Sequence, residues 1–425
     1  MKIKNKSIFL LLISIITSAF AQGLTIIAIP WYFTEINQNT VFSISYGIIT
    51  CLGLFWGLYA GVLIDYFNRK KILIYINLVN GFIFGIIGLI SLLFDLNTLL
   101  LFLIGFGFCS FYYTIFFPTL YAISQELADK TEYATVNSLI ELLMQITNIC
   151  AALTCGLLLT KNTHILNILS GIKKWEISEI FILNSGLYFS TYIMLLYVKY
   201  PPTKTQALPV ISNTFKGIQD AFIFLTKNTR IFIYGICSQI IFAFLIVELF
   251  TLLPLFVKNC LNKGIIVFAL ADVVYGLGAI IASFISVYIL KQVDKITYTV
   301  LLIIVTGYAV LLMINTQTLY IFYISTLLIG ISNASVRITR MTYFFEKIPS
   351  FLMGRVNIIF NTINTLIRTI LILVFSMHWF TENNHVIIGY KISIYVLCLF
   401  CIPLIGLWLK KNQLQIDGFS DTIKK

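Results

Sequence analysis

Residues 53–71 read GLFWGLYAGVLIDYFNRKK. The stretch opens as an apolar helix with glycines at Gly53, Gly57 and Gly61. Glycines four apart make one smooth helix face, on which a second backbone can come close. The run then stops at a polar turn carrying Asp65, Arg69, Lys70 and Lys71. Asp65 and Arg69, four apart, set opposite charges on neighbouring positions of the helix end. Three cations at the point where an apolar run ends mark that end as cytoplasmic.

The whole chain has the same character. Of its 425 residues 59% are hydrophobic and only 11% charged, against about a quarter charged in a soluble domain. The chain therefore reads as a polytopic, all-α membrane protein. A net charge of +12 would suggest nucleic acid in a soluble protein. Here it requires no nucleic acid, because lysine and arginine gather in cytoplasmic loops and face anionic lipid.

A helix needs roughly 20 apolar residues to cross ~30 Å of hydrocarbon. Twelve such runs are present, at about 8–33, 42–64, 72–94, 98–122, 135–160, 180–199, 231–257, 264–290, 297–315, 318–343, 354–379 and 387–409; they are called spans 1 to 12. With both termini inside, internal segments hold 22 lysines and arginines and external loops 6, a bias that places both termini in the cytoplasm. The longest internal loop carries Pro201, Pro202 and Pro209 and divides the spans six and six. The expected organisation is a six-helix bundle over 1–199, a cytoplasmic linker over 200–230 with a helix on the inner membrane surface, and a second bundle with a short cytoplasmic tail over 231–425. Residues 161–179 form the one sizeable external loop.

Two local patterns have plainer readings than they first suggest. Lys2, Lys4 and Lys6, an apolar run and Ala19-Phe20-Ala21 mimic a cleavable signal peptide. The run continues to Phe33, however, and cleavage would leave half a span, so it reads as an uncut first helix. Cys398 and Cys401 form a C-x-x-C with no second pair and no histidine cluster, so they read as small apolar helix residues rather than a metal or redox site.

The halves repeat. After span 4 comes Glu126 with Val136-Asn137; after span 10, at an offset of 220, comes Glu346 with Val356-Asn357. The same offset pairs Glu141 with Asn361, Gln145 with Thr365 and Asn148 with Arg368. Spans 5 and 11 thus each carry a polar stripe, at 137, 141, 145, 148 and at 357, 361, 364, 368, with spacings that keep each on one face. The partner of Gly61–Asp65 is Ala282 to Ser286. Its small-residue spacing, with Gly278, survives, but the acid and the arginine cluster do not.

The pattern G-x-x-x-D-x-x-x-R-K-K after the second apolar run resembles the cytoplasmic loop motif of the major facilitator superfamily of secondary transporters. The resemblance implies twelve helices in two parallel-repeat bundles, with a substrate site between them near mid-membrane. It also implies a gating latch between spans 2 and 3, carried here by Gly57, Gly61, Asp65, Arg69 and Lys70. Ala28-IPW-Tyr32-FTEINQN, the stretch from span 4 into span 5 and the linker helix look like the branch of macrolide, drug and enterobactin-type siderophore exporters. Members of that branch often carry an aspartate in helix 1 where this chain has Gln22.

Ionisable groups inside spans are functional candidates, because each is expensive in hydrocarbon. Glu248 in span 7 is the leading proton carrier, since burial disfavours a carboxylate's charge; Glu141 and Asp272 follow. The competing reading of Glu248 is a structural carboxylate paired with a cation or amide. Arg368, roughly 22 Å along span 11, either contacts an anionic substrate or balances Glu248 or Glu141 in a fixed salt bridge. Gln22, Gln145, Asn148, Asn361 and Asn364 line a cavity or hydrogen-bond between helices. Tyr112 and Tyr113 on span 4 form an aromatic cavity wall or pack against lipid.

No catalytic constellation and no phosphate-binding glycine loop with lysine is visible, so neither enzyme chemistry nor ATP is expected, and no cofactor beyond a proton gradient. The expectation is a monomeric inner-membrane transporter exporting a small amphiphilic compound, a drug or a siderophore, in exchange for protons. An importer of a siderophore or metabolite, and a non-transporting receptor or scaffold of the same fold, are the alternatives.

Overall fold

The computed structural model describes residues 6–94, 98–127, 133–160, 174–200, 211–381 and 385–423. Most of these residues are helical, and twelve of the helices are long and apolar enough to cross a membrane. The spans run Phe9–Glu35, Asn39–Gly57, Arg69–Leu93, Thr98–Leu120, Leu142–Leu159, Ile177–Leu196, Thr229–Cys260, Ile265–Ser286, Lys295–Thr316, Leu319–Phe344, Arg355–Phe375 and His385–Leu409. The first helix passes unbroken through Ala19-Phe20-Ala21. The three-proline part of the linker and most of the expected external loop lie outside the described residues.

The chain forms two compact units. Unit 1 comprises Met1–Leu208 with Asn262–Val273, and unit 2 comprises Pro209–Leu261 with Val274–Lys425.

In unit 1 spans 3 and 6 pack closely. A Cβ on Gly85 would lie 2.8 Å from the Ser185 hydroxyl, and one on Gly88 would lie 2.7 Å from Ile182 and 3.1 Å from the Ser178 carbonyl. Ser185 donates to the Gly81 carbonyl at 2.7 Å across the same seam. The glycines of span 2 behave otherwise. Gly53 has nothing within 4 Å, and Gly57 meets only a Thr114 methyl at an ordinary 3.7 Å. The close approach expected on that face is therefore absent at both positions; the surroundings of Gly61 are not among those described. Small-residue spacing permits a close crossing but does not say which helix will use it.

In unit 2 the tight crossing is between spans 8 and 10. A Cβ on Gly278 would fall 2.4 Å from the Leu327 carbonyl, and one on Gly330 would fall 2.3 Å from the Tyr275 carbonyl. Below this contact Ala279, Ala282 and Ala334 form a small apolar cluster, and Ser286 donates to Ser335 at 2.8 Å. The small-residue stripe Gly278, Ala282, Ser286 is thus a helix seam. The linker helix, Ile211–Lys227, packs on span 11, burying Ala221 and Leu225 and leaving Phe222 and Ile223 exposed.

Span 7 departs from the hydropathy reading. It is one apolar run in sequence but a jointed helix in space. The helix Thr229–Cys237 ends, Ser238 and Gln239 form a tight turn, and a second helix starts at Ile240. Ser238 donates its hydroxyl to the Gly235 carbonyl at 3.2 Å, competing with the backbone ladder as serine does. Two π-helical turns follow, Glu248–Leu252 and Phe256–Cys260, one on either side of Pro254. The proline ring cannot donate and crowds the preceding turn. A wider i→i−5 ladder, with the Leu253 amide on the Glu248 carbonyl, accommodates it.

Candidate functional site

The joint in span 7 is clasped from two other helices. Arg340 of span 10 donates Nη1 to the Ser238 carbonyl at 3.2 Å, and Asn364 of span 11 donates Nδ2 to the Gln239 carbonyl at 3.2 Å. A helix break inside a membrane leaves carbonyls that must find partners within the protein; Arg340 supplies one for Ser238, and the Gln239 carbonyl, which already accepts from the Ala243 amide at 3.0 Å, gains a second in Asn364. Gly235, just before the joint, lies under the Phe360 ring, which a Cβ would meet at 2.1 Å. Phe360 in turn stacks on Phe344 at 5.0 Å.

Glu248 opens the first π turn and is buried. Its Oε1 accepts from the Tyr390 hydroxyl of span 12 at 3.1 Å. No ion pair reaches this carboxyl among the described residues, so of the structural partners expected for it neither a lysine nor an arginine is in place. Widened turns of this kind are frequent at functional sites.

Arg368 is half-buried and turns back along its own helix. Its Nη2 donates to Thr365 at 3.2 Å, and its guanidinium carbon stands 5.9 Å from the centroid of the Phe242 ring on span 7. Its Nε is buried with no hydrogen-bond partner. The counter-charge role toward Glu248 is not realised: no carboxylate pairs with Arg368 among the described residues. Asn361, one turn from Thr365, is exposed.

Unit 1 holds a buried polar core built by spans 1, 3, 4 and 6. Tyr112, 3% exposed, donates to Asn77 at 3.1 Å and lies with its ring 5.2 Å from that of Tyr188. Asn184 donates to Thr25 at 2.8 Å. The buried Cys109 thiol lies beside Gln22, Thr25 and Tyr188. Three polar atoms of this core, Asn80 Oδ1, Asn184 Oδ1 and the Tyr188 hydroxyl, have no partner among the described residues.

Of the residues singled out from sequence, Gln22 and Tyr112 thus belong to this core, while Tyr113, half exposed, packs on Phe117 at 4.5 Å. Gln145 and Asn148 are half-buried, with Asn148 beside Gly23 of span 1. Asp272 is half-buried, seven residues into span 8. The side chains of Asp65 and Glu141 lie outside the described residues. At the expected latch, Lys70 donates to the Leu196 carbonyl at the end of span 6 at 3.0 Å. Arg69 donates Nε to the Ile64 carbonyl at 3.4 Å. Both cations sit on helix C-terminal carbonyls, where the helix dipole favours positive charge.

Unit 2 has its own charged contact although the sequence motif is lost there. Lys295, at the start of span 9, pairs with Glu346 beyond the end of span 10 at 2.8 Å, beside a cavity of about 410 Å³ that Arg230, Asp294 and Tyr343 also line.

Twelve spans, a charged turn after the second and an internal repeat narrow the families that fit. The family model of the Major Facilitator Superfamily matches residues 9–372. This chain belongs to the Major Facilitator Superfamily. It is therefore a multi-pass membrane transporter of secondary-transporter type and not an enzyme. Solved structures of superfamily fold agree over nearly the full length. The nucleoside transporter NupG is 16% identical with a TM-score of 0.69, over 95% of this chain and 99% of that one. A D-xylose-proton symporter is 14% identical at 0.70, over 95% and 98%. A bacterial metal transporter is 13% identical at 0.67, over 96% and 99%. At such identities the likeness is one of fold alone. A comparison with curated protein sequences finds no match.

Proposed function

We propose that this superfamily member is a proton-coupled exporter of small amphiphilic compounds, of the drug or siderophore kind. It works as a monomer in the inner membrane by alternating access, with both termini in the cytoplasm. The observation that carries the coupling is Glu248. It is a buried carboxyl without a cationic partner among the described residues, placed on a widened turn between a joint and a proline in the same span. A carboxyl held by a single hydroxyl can exchange its proton when water reaches it, whereas one locked in a salt bridge cannot do so cheaply. Direction is supported by the branch resemblance of the span 4–5 region and linker helix. Orientation is supported by the lysine and arginine bias.

The test is reconstitution into liposomes with an internal pH dye. Lipophilic drugs and siderophores are supplied in turn and proton movement is followed with and without an imposed gradient. The expected result is substrate-dependent proton flux in wild type, with Glu248→Gln losing gradient-driven accumulation but keeping downhill exchange. Flux in the same direction as the compound would make it an importer, and no flux with any compound would favour a receptor or scaffold.

A further inference from the structure

Arg368 is a cation placed where a membrane protein can rarely leave one unused. It is the fourteenth residue of the span Arg355–Phe375. An arginine in a span is usually relieved in one of two ways: by pairing with a carboxylate, or by reaching to the headgroups. Neither holds here. No carboxylate pairs with it among the described residues, and Glu248, one of the two carboxylates considered from sequence, is engaged by Tyr390; the side chain of Glu141, the other, lies outside those described. The side chain bends toward Thr365, three residues back and nearer the middle of the span, not toward the end at Phe375.

The donors left over have a definite shape. A guanidinium carries five N–H groups in a planar fork. One hydrogen bond, to Thr365, is present, and the Nε–H is buried without a partner. The neighbouring amide cannot help, because Asn364 is committed to the Gln239 carbonyl. The Phe242 ring lies under the guanidinium, an arrangement that holds the fork flat. Asn361 and Thr365 continue the polar stripe, with Asn361 exposed. An exposed asparagine on the same helix is a poor neighbour for acyl chains and a good one for a water-filled passage.

From this geometry we infer that Arg368, Thr365 and Phe242 form a subsite for an oxyanion attached to a flat apolar body. The compound carried is accordingly an amphiphilic anion, with a carboxylate or like group on the fork and its apolar part along Phe242. Two oxygens on one centre match the guanidinium side-on, which a neutral amide or ester does not. The inference rests on the transporter reading given above and narrows its substrate class. The same oxyanion chemistry is offered by the phosphate of an anionic lipid, which the experiment separates.

Purified protein in phosphatidylcholine nanodiscs is titrated with dansylglycine and with salicylate, each beside its neutral amide, with fluorescence and melting temperature as readouts. Wild type is expected to bind at least one acid more tightly than its amide by roughly tenfold or more, the scale of a hydrogen bond to a charged group. Arg368→Gln abolishes the preference for acid over amide, and Arg368→Lys restores part of it, keeping charge without the fork. Phe242→Leu weakens acid and amide together. If Arg368→Gln fails to fold, the wild-type preference and its response to Phe242→Leu decide. Equal binding of acid and amide by wild type, or an acid preference that survives in Arg368→Gln, overturns the subsite. Replacing part of the lipid by phosphatidylglycerol supplies the other arm. If that lipid raises the melting temperature through Arg368 and displaces the acids, the occupant is a headgroup and the substrate assignment falls. No gradient exists in a nanodisc, so these outcomes are independent of whether Glu248 couples protons.

Discussion

Tyr390, on span 12, donates its hydroxyl to Glu248 Oε1 at 3.1 Å, tying the last helix to the first π turn of span 7. Glutamine at 248 keeps an oxygen that can accept this bond, whereas phenylalanine at 390 leaves a buried acceptor without its donor. Glu248→Gln is therefore expected to unfold within about 1 kcal/mol of wild type, and Tyr390→Phe to lose about 1–3 kcal/mol. Thermal unfolding of the two variants side by side in one detergent checks the ranking, and the reverse order would refute this assignment.

The joint at Ser238–Gln239 gives a second expectation. Removing Arg340 exposes the Ser238 carbonyl to an apolar interior and should destabilise by about 1–3 kcal/mol. Asn364→Ala should lose less, about 0.6–1.7 kcal/mol, the range measured for hydrogen bonds between membrane helices. Hydrogen exchange across 235–243 should rise in both variants and stay unchanged in the rest of unit 2.

Glycine substitutions separate the two kinds of small-residue face. Gly330→Ala puts a methyl 2.3 Å from the Tyr275 carbonyl, so spans 8 and 10 must part. A loss of about 1–3 kcal/mol follows, as in other overpacked sites. Gly53→Ala meets nothing within 4 Å and should be neutral, or gain up to about 1 kcal/mol from helix propensity. Melting temperatures of the pair provide the comparison.

The twelve spans were legible because hydropathy depends on local composition, which the bilayer enforces residue by residue. Glu248 and Arg368 were legible for the same reason, as charges inside apolar runs. Their partners were not. Tyr390 and Phe242 come from other helices, and nothing in sequence announces which aromatic residue will meet which charge. The joint in span 7 was hidden because Ser238 and Gln239 are not helix breakers, and the Arg340 guanidinium that meets the freed Ser238 carbonyl comes from another helix. Gly53 and Gly57 illustrate the converse. Their spacing suited a close crossing, but the seams form instead at Gly85 and Gly88 and at Gly278 and Gly330, where the facing helix offers serine hydroxyls or bare backbone.

Lys70 and Arg69 are expected to matter for transport more than for folding. Each donates to a carbonyl near a helix end, where surface charges contribute roughly 1 kcal/mol or less. Alanine at either position should leave the melting temperature nearly unchanged while slowing substrate-driven proton flux in liposomes several-fold. Undiminished flux in both variants would contradict a gating role for this turn.

Accessibility of Asn361 from the two sides of the membrane tests alternating access most directly. A single cysteine is placed at 361 after replacing the eight native cysteines, and oriented vesicles are labelled with an impermeant maleimide from either face. The account predicts labelling from both faces, in proportions that reverse when the proton gradient is reversed. Labelling from one face alone, unmoved by gradient or added compound, would contradict it.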